Sequence, residues 1–277
     1  MENNKQQPIG VFDSGIGGLT AMKELIKLLP NEDIIYFGDT ARVPYGTHTP
    51  ETIVRFAKQD LNFLLQQNVK AVLIACGTAS STALGELKKM TDIPILGVIE
   101  AAARKSVEIS KNKKVLVLST PATTRSHAYK NAINRIDGSV EVVEKACPLF
   151  VPLVENGYVQ VDNPVTKLVV KDYLGEVSSF GADAVILGCT HYPLIKDAIC
   201  DFMPDVQMVE AGKEAAIELS CLLEKMSLKN DVGKVGKIRY VVSEKTESFK
   251  DVCEFFLGRH INETIENINL DDRQEEK

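Results

Sequence analysis

Eight short runs of apolar, mostly β-branched residues recur along the 277-residue chain: IGVF (9–12), DIIYFG (33–38), KAVLIAC (70–76), IPILGVI (93–99), KVLVLST (114–120), VEVVEKA (140–146), DAVILGC (183–189) and VQMVEA (206–211). Between most of them lie longer stretches with helical periodicity, such as 20–29, 50–67 and 164–180. A strand that is apolar throughout is buried on both faces, the condition of a parallel sheet covered by helices. Strands alternating with helices imply βαβ units. The chain therefore reads as α/β with mostly parallel sheets.

Two of these runs look like copies. Ala71-Val72-Leu73-Ile74-Ala75-Cys76 aligns with Ala184-Val185-Ile186-Leu187-Gly188-Cys189, and a hydroxyl residue follows each cysteine closely, at Thr78 and Thr190. A looser echo pairs IGVFDSGIGGLT with VLVLSTPATTRS, each a strand running into a Ser/Thr-rich turn. Such self-similarity predicts two similar, pseudo-symmetric α/β lobes. Ligands in open α/β sheets bind outside the carboxyl ends of the strands, where both cysteines are expected. Lobes that face each other would bring two thiols into one cleft from opposite sides.

Composition narrows the function. Hydrophobic residues are 44% and charged residues 25%, with a formal net charge of −6. An acidic chain without a Lys/Arg cluster is a poor match for nucleic acid. The start, MENNKQQP, has no apolar signal core, and no run of about 18 apolar residues occurs, so neither secretion nor a membrane span is expected. The six dispersed cysteines then read as free thiols in a reducing cytoplasm. The charged end LDDRQEEK reads as a frayed tail.

The remaining motifs are ambiguous one at a time. In DSGIGGLT (13–20), Gly15, Gly17 and Gly18 permit a tight turn and close ligand approach, and the helix that follows favours an anion. The spacing fits neither a dinucleotide nor a triphosphate loop. GDTARVPYG (38–46) is an irregular segment shaped by Pro44 and Gly46, in which Tyr45 offers a hydroxyl and Asp39 has the ordinary reading of a local cap. A free cysteine is often only a small buried hydrophobe, which suits Cys200, Cys221 and Cys253. It suits Cys76 and Cys189 less, because each ends a strand beside hydroxyls. Cys189-Thr190-His191 lacks a second ligand pair with zinc-like spacing, and there is no redox C-x-x-C. Two opposed thiols fit proton removal from one face of a carbon and delivery to the other, which inverts a stereocentre. Asp13 is placed to assist Cys76 and His191 to assist Cys189, a role that its place in CTHYP favours over the plain reading of a cap on the next helix.

At these residues the chain resembles glutamate racemases of the aspartate/glutamate racemase superfamily. The matching segments are GVFDSGIGGLT, YFGDTARVPYG, ACGTAS, LGVIE, CPLFVPLVE (147–155) and LGCTHYPLI (187–195), with a weaker match in YVVSEKTESFKDVCEFFLG (240–258). The resemblance implies two α/β domains, one from residues 1–98 and 209–277 and the other from 99–208, with the active site between them. It implies cofactor-independent racemisation of glutamate for peptidoglycan synthesis, no metal, and room for a homodimer. By motif, Cys76 and Cys189 become the acid/base pair, with Asp13 assisting the first and His191, supported by Glu155, assisting the second. Asp13, Ser14, Pro44, Tyr45, Gly46, Gly77, Thr78, Thr123, Thr190 and His191 become the substrate contacts. Two positions depart from the pattern: Gly77 stands where the family usually has Asn, and Ala101 where it usually has Pro. An Asn at 77 is expected to preserve folding and to add polar contacts; the competing reading is that Gly77 makes room for a different substrate or a repositioned loop, and that an added side chain would block the site. The departures leave an aspartate or broader amino-acid racemase, or a non-catalytic small-molecule binder on the same fold, as alternatives.

Overall fold

The computed structural model describes residues 2–245 and 249–270. Of the charged C-terminal stretch, residues 271–277 lie outside the described residues, so the expectation of a frayed tail falls there. The described strands are β1 (Ile9–Asp13), β2 (Ile34–Gly38), β3 (Ala71–Ile74), β4 (Ile95–Gly97), β5 (Lys114–Ser119), β6 (Glu141–Ala146), β7 (Ala184–Leu187), β8 (Gln207–Glu210), β9 (Ile238–Val242) and β10 (Ile265–Asn267). The helices are α1 (Glu2–Lys5), α2 (Leu19–Leu28), α3 (Pro50–Gln66), α4 (Gly77–Leu87), α5 (Val98–Ile109), α6 (Pro121–Ser126), α7 (Ala128–Ile136), α8 (Phe150–Glu155), α9 (Pro164–Gly175), α10 (Lys196–Phe202), α11 (Ala211–Lys225) and α12 (Phe249–Leu257).

The strands form two sheets, ordered β10-β9-β2-β1-β3-β4 and β6-β5-β7-β8, and every pairing is parallel. The expected α/β class with parallel sheets holds. β1, β2, β3 and β7 are buried at every position, which is why they read as unbroken apolar runs. The order β2-β1-β3-β4 repeats as β6-β5-β7-β8, so β3 and β7, the strands before the two cysteines, hold equivalent places. In each sheet the chain reverses its direction of travel between the first strand and the cysteine strand, β1/β3 and β5/β7. A crevice opens at the carboxyl ends of such a reversal.

Two details depart from the expected elements. The run 93–99 is a strand only over β4: Val98 and Ile99 begin α5 instead, with the Ser80 hydroxyl taking the Val98 N–H at 3.2 Å. Strands β9 and β10 were not evident in the sequence and extend the first sheet beside β2. None of the described helices is long and apolar enough to cross a membrane.

A buried ion pair ties the amino ends of the first sheet's strands together. Lys70, just before β3, and Glu32, just before β2, are bonded with side chains only 1% exposed. The Lys70 ammonium also reaches the carbonyls of Lys5 (2.6 Å) and Leu228 (2.9 Å), and Glu32 accepts the Asn230 N–H at 2.8 Å. Burial pushes the Lys70 ammonium below its ordinary pKa, and Glu32 opposes that push. Removing one partner of such a pair strands the other charge in a dry interior. Glu32→Ala is therefore expected to lose about 3 kcal/mol or more of unfolding free energy, read from denaturant melts. A loss no larger than that of an exposed pair would contradict this role.

Candidate active site

The site is built from turns at the carboxyl ends of the strands. Cys76 lies just past β3 and is the N-cap of α4: its sulfur accepts the Ala79 N–H at 3.4 Å. Cys189 occupies the matching place past β7. Both line one cavity of about 140 Å3, with Ser14, Pro44, Tyr45, Gly46, Gly77, Thr78, Glu155, Thr190 and His191 of the expected residues. Asp13 and Thr123 stand behind this wall, with 1% and 0% of their surface exposed.

The two thiols have different partners. Cys76 lies 3.4 Å from the Ser14 hydroxyl. Burial, then the nearby charge of Asp13, pushes its thiol up to about 12. Asp13 reaches Cys76 through its field, while one carboxylate oxygen accepts the N–H groups of Gly15 (3.3 Å) and Gly18 (3.0 Å). The anion held by the DSGIGG turn is thus Asp13's own side chain. Its other oxygen, Oδ1, is buried with no partner among the described residues. Burial also raises the Asp13 pKa, against the pull of His191 and these N–H groups.

On the opposite side, His191 joins Cys189 to Glu155. Its Nδ1 is 3.9 Å from the Cys189 sulfur and 3.3 Å from Thr190 Oγ1, and its Nε2 is 3.1 Å from Glu155 Oε1. Burial works against a charged imidazole. The hydrogen bonds to Cys189 and Glu155 outweigh it and push the pKa up to about 10. His191 stands at the N-cap position of the turn that follows it, but its side chain makes no cap hydrogen bond.

Hydroxyls close the space between the thiols. Thr120 Oγ1 lies 3.0 Å from both Thr78 Oγ1 and Thr123 Oγ1. Thr120 is the N-cap of α6, as Cys76 is of α4. Thr120 and Cys147 also line the cavity and were missed in the sequence. The strand-then-hydroxyl echo at KVLVLST pointed toward Thr120, whereas Cys147 carried no local signal. Cys147 is buried, and that burial pushes its thiol up to about 12. Of the three cysteines read as small buried hydrophobes, Cys253 is buried, Cys200 is half-buried and Cys221 is exposed.

Three expectations are corrected. The Tyr45 hydroxyl is committed to Asp39 and Asp60, so it is not free for a ligand, and Asp39 stands at the N-cap position of the next turn without a side-chain cap bond. Gly77 has no room for a side chain: a Cβ there would lie closer than 3.0 Å to the Gly188 carbonyl oxygen, which is backbone and cannot swing away. Gly17 is crowded by the side chains of Thr190 and His191, and Gly18 by that of Asp13. None of Gly15, Gly17 and Gly18 has a positive φ. Close approach, rather than a special turn conformation, is what Gly17 and Gly18 provide.

The Asp/Glu/Hydantoin racemase family model matches residues 9–219. The glutamate racemase of Geobacter metallireducens is 43% identical over 268 residues, 96% of this chain and 98% of that one. The crystal structure of the Francisella tularensis glutamate racemase in complex with D-glutamate superposes with a TM-score of 0.91 at 40% identity, covering 97% of this chain and 99% of that one. A glutamate racemase isoform of Bacillus anthracis gives the same TM-score at 35% identity, covering 96% and 98%. The family match spans both cysteine turns, β1 to β4 of the first sheet and the whole of the second, and this chain belongs to the Asp/Glu/Hydantoin racemase family.

Proposed function

We propose that this protein interconverts L- and D-glutamate with two cysteines and no cofactor, and that the D-glutamate serves peptidoglycan synthesis. The observation that carries this reading is the pair of thiols, set on equivalent strand ends of two sheets and lining one cavity. One sulfur, as thiolate, takes the α-proton. The other, as thiol, gives its proton to the opposite face of the carbanion. A single base would tend to return the proton to the face it left. We further propose that residues 1–98 with 209–277 and residues 99–208 act as the two halves of the cleft. In support, β4 ends in the first sheet, β5 opens the second, and β9 is back in the first, although β8 keeps the chain in the second sheet to Glu210, two residues past the proposed boundary at 208.

The partners suit these roles. Asp13 lies behind the cavity wall, and its charge helps keep Cys76 protonated. A substrate ammonium in the cavity near it would offset that charge. On the other side, the His191 imidazolium can pass a proton to the Cys189 sulfur, with Glu155 fixing the ring. The Thr78 and Thr120 hydroxyls and the backbone N–H groups of the turns suit carboxylates.

Purified protein without additives should racemise L-glutamate, followed by circular dichroism, and place solvent deuterium at the α-carbon. Cys76→Ala and Cys189→Ala should each lower turnover by about a thousandfold or more, because inversion needs both thiols. A folded Cys189→Ala protein with near-normal turnover would sink the two-thiol mechanism.

Glu155→Gln removes a charge that raises the His191 pKa. The imidazolium persists below its raised pKa and is lost as pH rises through it. In Glu155→Gln this loss should therefore begin at lower pH, moving the alkaline limb of kcat downward. An unmoved limb would separate Glu155 from His191 in the mechanism.

Because a side chain at 77 would press on the Gly188 backbone, Gly77→Ala and Gly77→Asn should lower kcat/KM for glutamate. Overpacking of this kind implies a loss on the order of tenfold to a hundredfold. Assays with glutamate and aspartate side by side measure it, and improved glutamate turnover in Gly77→Asn would refute the crowding argument.

A further inference from the structure

A hydroxyl with a single hydrogen stands between two buried carboxylates, in the segment that walls the cavity. The Tyr45 hydroxyl is 2.8 Å from Asp60 Oδ2 and shares a short hydrogen bond with Asp39 Oδ2. Both Asp side chains are fully shielded from solvent, and one guanidinium serves both. Arg42 Nε lies 2.7 Å from Asp39 Oδ2, and Arg42 Nη2 lies 3.1 Å from Asp60 Oδ1. Two ionised carboxylates here would leave a net buried negative charge. They would also turn a lone pair of Tyr45 against a lone pair of whichever carboxylate its hydrogen does not reach.

Counting donors places the missing proton. Asp39 is supplied by Arg42 Nε, by the Tyr45 hydroxyl and by Ser243. The Ser243 hydroxyl accepts the Ala41 N–H at 2.9 Å and so directs its own hydrogen to Asp39 Oδ1, also at 2.9 Å. Asp60 Oδ2 has Tyr45 as its one hydrogen-bond partner among the described residues. Asp60 sits in the buried stripe of α3, beside Ile53, Ala57, Leu61 and Leu64, where an apolar residue would serve packing better.

We infer that Asp60 is a positioning residue of the cavity: its carboxyl is protonated and donates to the Tyr45 oxygen, Tyr45 donates to Asp39, and this relay holds Pro44–Thr47 in the cavity wall. Pro44, Tyr45, Gly46 and Thr47 all line the cavity, and none of the relay's acids does. The charged and titratable groups facing Asp60 are Asp39, Arg42 and Tyr45, with Asp13 farther off. Burial, then the charge of Asp39, holds the Asp60 carboxyl well above the usual range, against Arg42 and Tyr45. The folded protein keeps a proton that the unfolded chain releases above about pH 4, so the relay weakens as pH rises.

The kinetic arm of the test rests on the racemase reading, and the spectroscopic arm does not. In protein carrying 13C-carboxyl aspartate, with Asp60→Asn to assign the signal, the Asp60 carboxyl should show the protonated chemical shift at pH 7. An ionised shift there overturns the inference. Asp60→Ala should raise KM for L-glutamate about tenfold, the effect of one buried hydrogen bond, with a smaller change in kcat. Asp60→Asn, whose amide N–H replaces the lost O–H donor, should bring KM back near the wild-type value and flatten its rise toward alkaline pH. An Asp60→Asn protein as impaired as Asp60→Ala would mean that the ionised carboxylate is required, and would also overturn the inference. If Asp60→Ala does not fold, Asp60→Asn and the carboxyl spectrum still decide. Wild-type protein that racemises no glutamate would defeat the racemase reading and leave the proton assignment to the spectrum.

Discussion

Two cysteine turns from two sheets meet backbone to backbone, and the site depends on that contact. Gly77 lies against the Gly188 carbonyl, Gly17 against Thr190 and His191, and Gly188 itself against Tyr129 and the Leu118 carbonyl. Each glycine stands where a methyl group would have to displace a neighbour. The Thr20 hydroxyl adds a hydrogen bond across the seam, to the Thr190 carbonyl at 2.9 Å. Two small parallel sheets are thereby pressed together at the ends of their strands, and the sulfurs end up on one narrow space. Packed backbone has little freedom to adjust, so the separation of the thiols is set by the fold rather than by flexible side chains.

Charge within this seam is handled by pairing and by shared protons. Asp13 spends one oxygen on two backbone N–H groups of its own turn. His191 is held between a sulfur and a carboxylate, which keeps a buried ring cationic. Asp39 and Asp60 share one arginine and one tyrosine hydroxyl. In each case a polar group enters a dry region only where partners satisfy it, as the cost of an unpaired buried charge requires. Three buried side-chain atoms lack a partner among the described residues: Asp13 Oδ1, Tyr129 Oη and Glu144 Oε1. Of these, Asp13 Oδ1 belongs to the carboxylate whose charge reaches Cys76.

The sequence by itself determined the layered α/β architecture, because buried parallel strands must be apolar at every position. It also revealed the internal repeat, since strands in equivalent places of two like sheets face equivalent surroundings. Cys76, Cys189 and His191 were legible because polar residues at the end of an apolar strand have no packing reason to be there. β9 escaped notice: Arg239 interrupts its apolar pattern at an exposed edge of the strand, where Glu266 pairs with it. Tertiary structure alone decided the rest. That Gly77 excludes a side chain follows from a carbonyl more than a hundred residues away in the chain. That the Tyr45 hydroxyl turns from the cavity follows from Asp60 on α3. Local pattern records whether a residue is buried or free. Which backbone or carboxylate it meets there is a matter of long-range packing, and that is written in no single stretch of the chain.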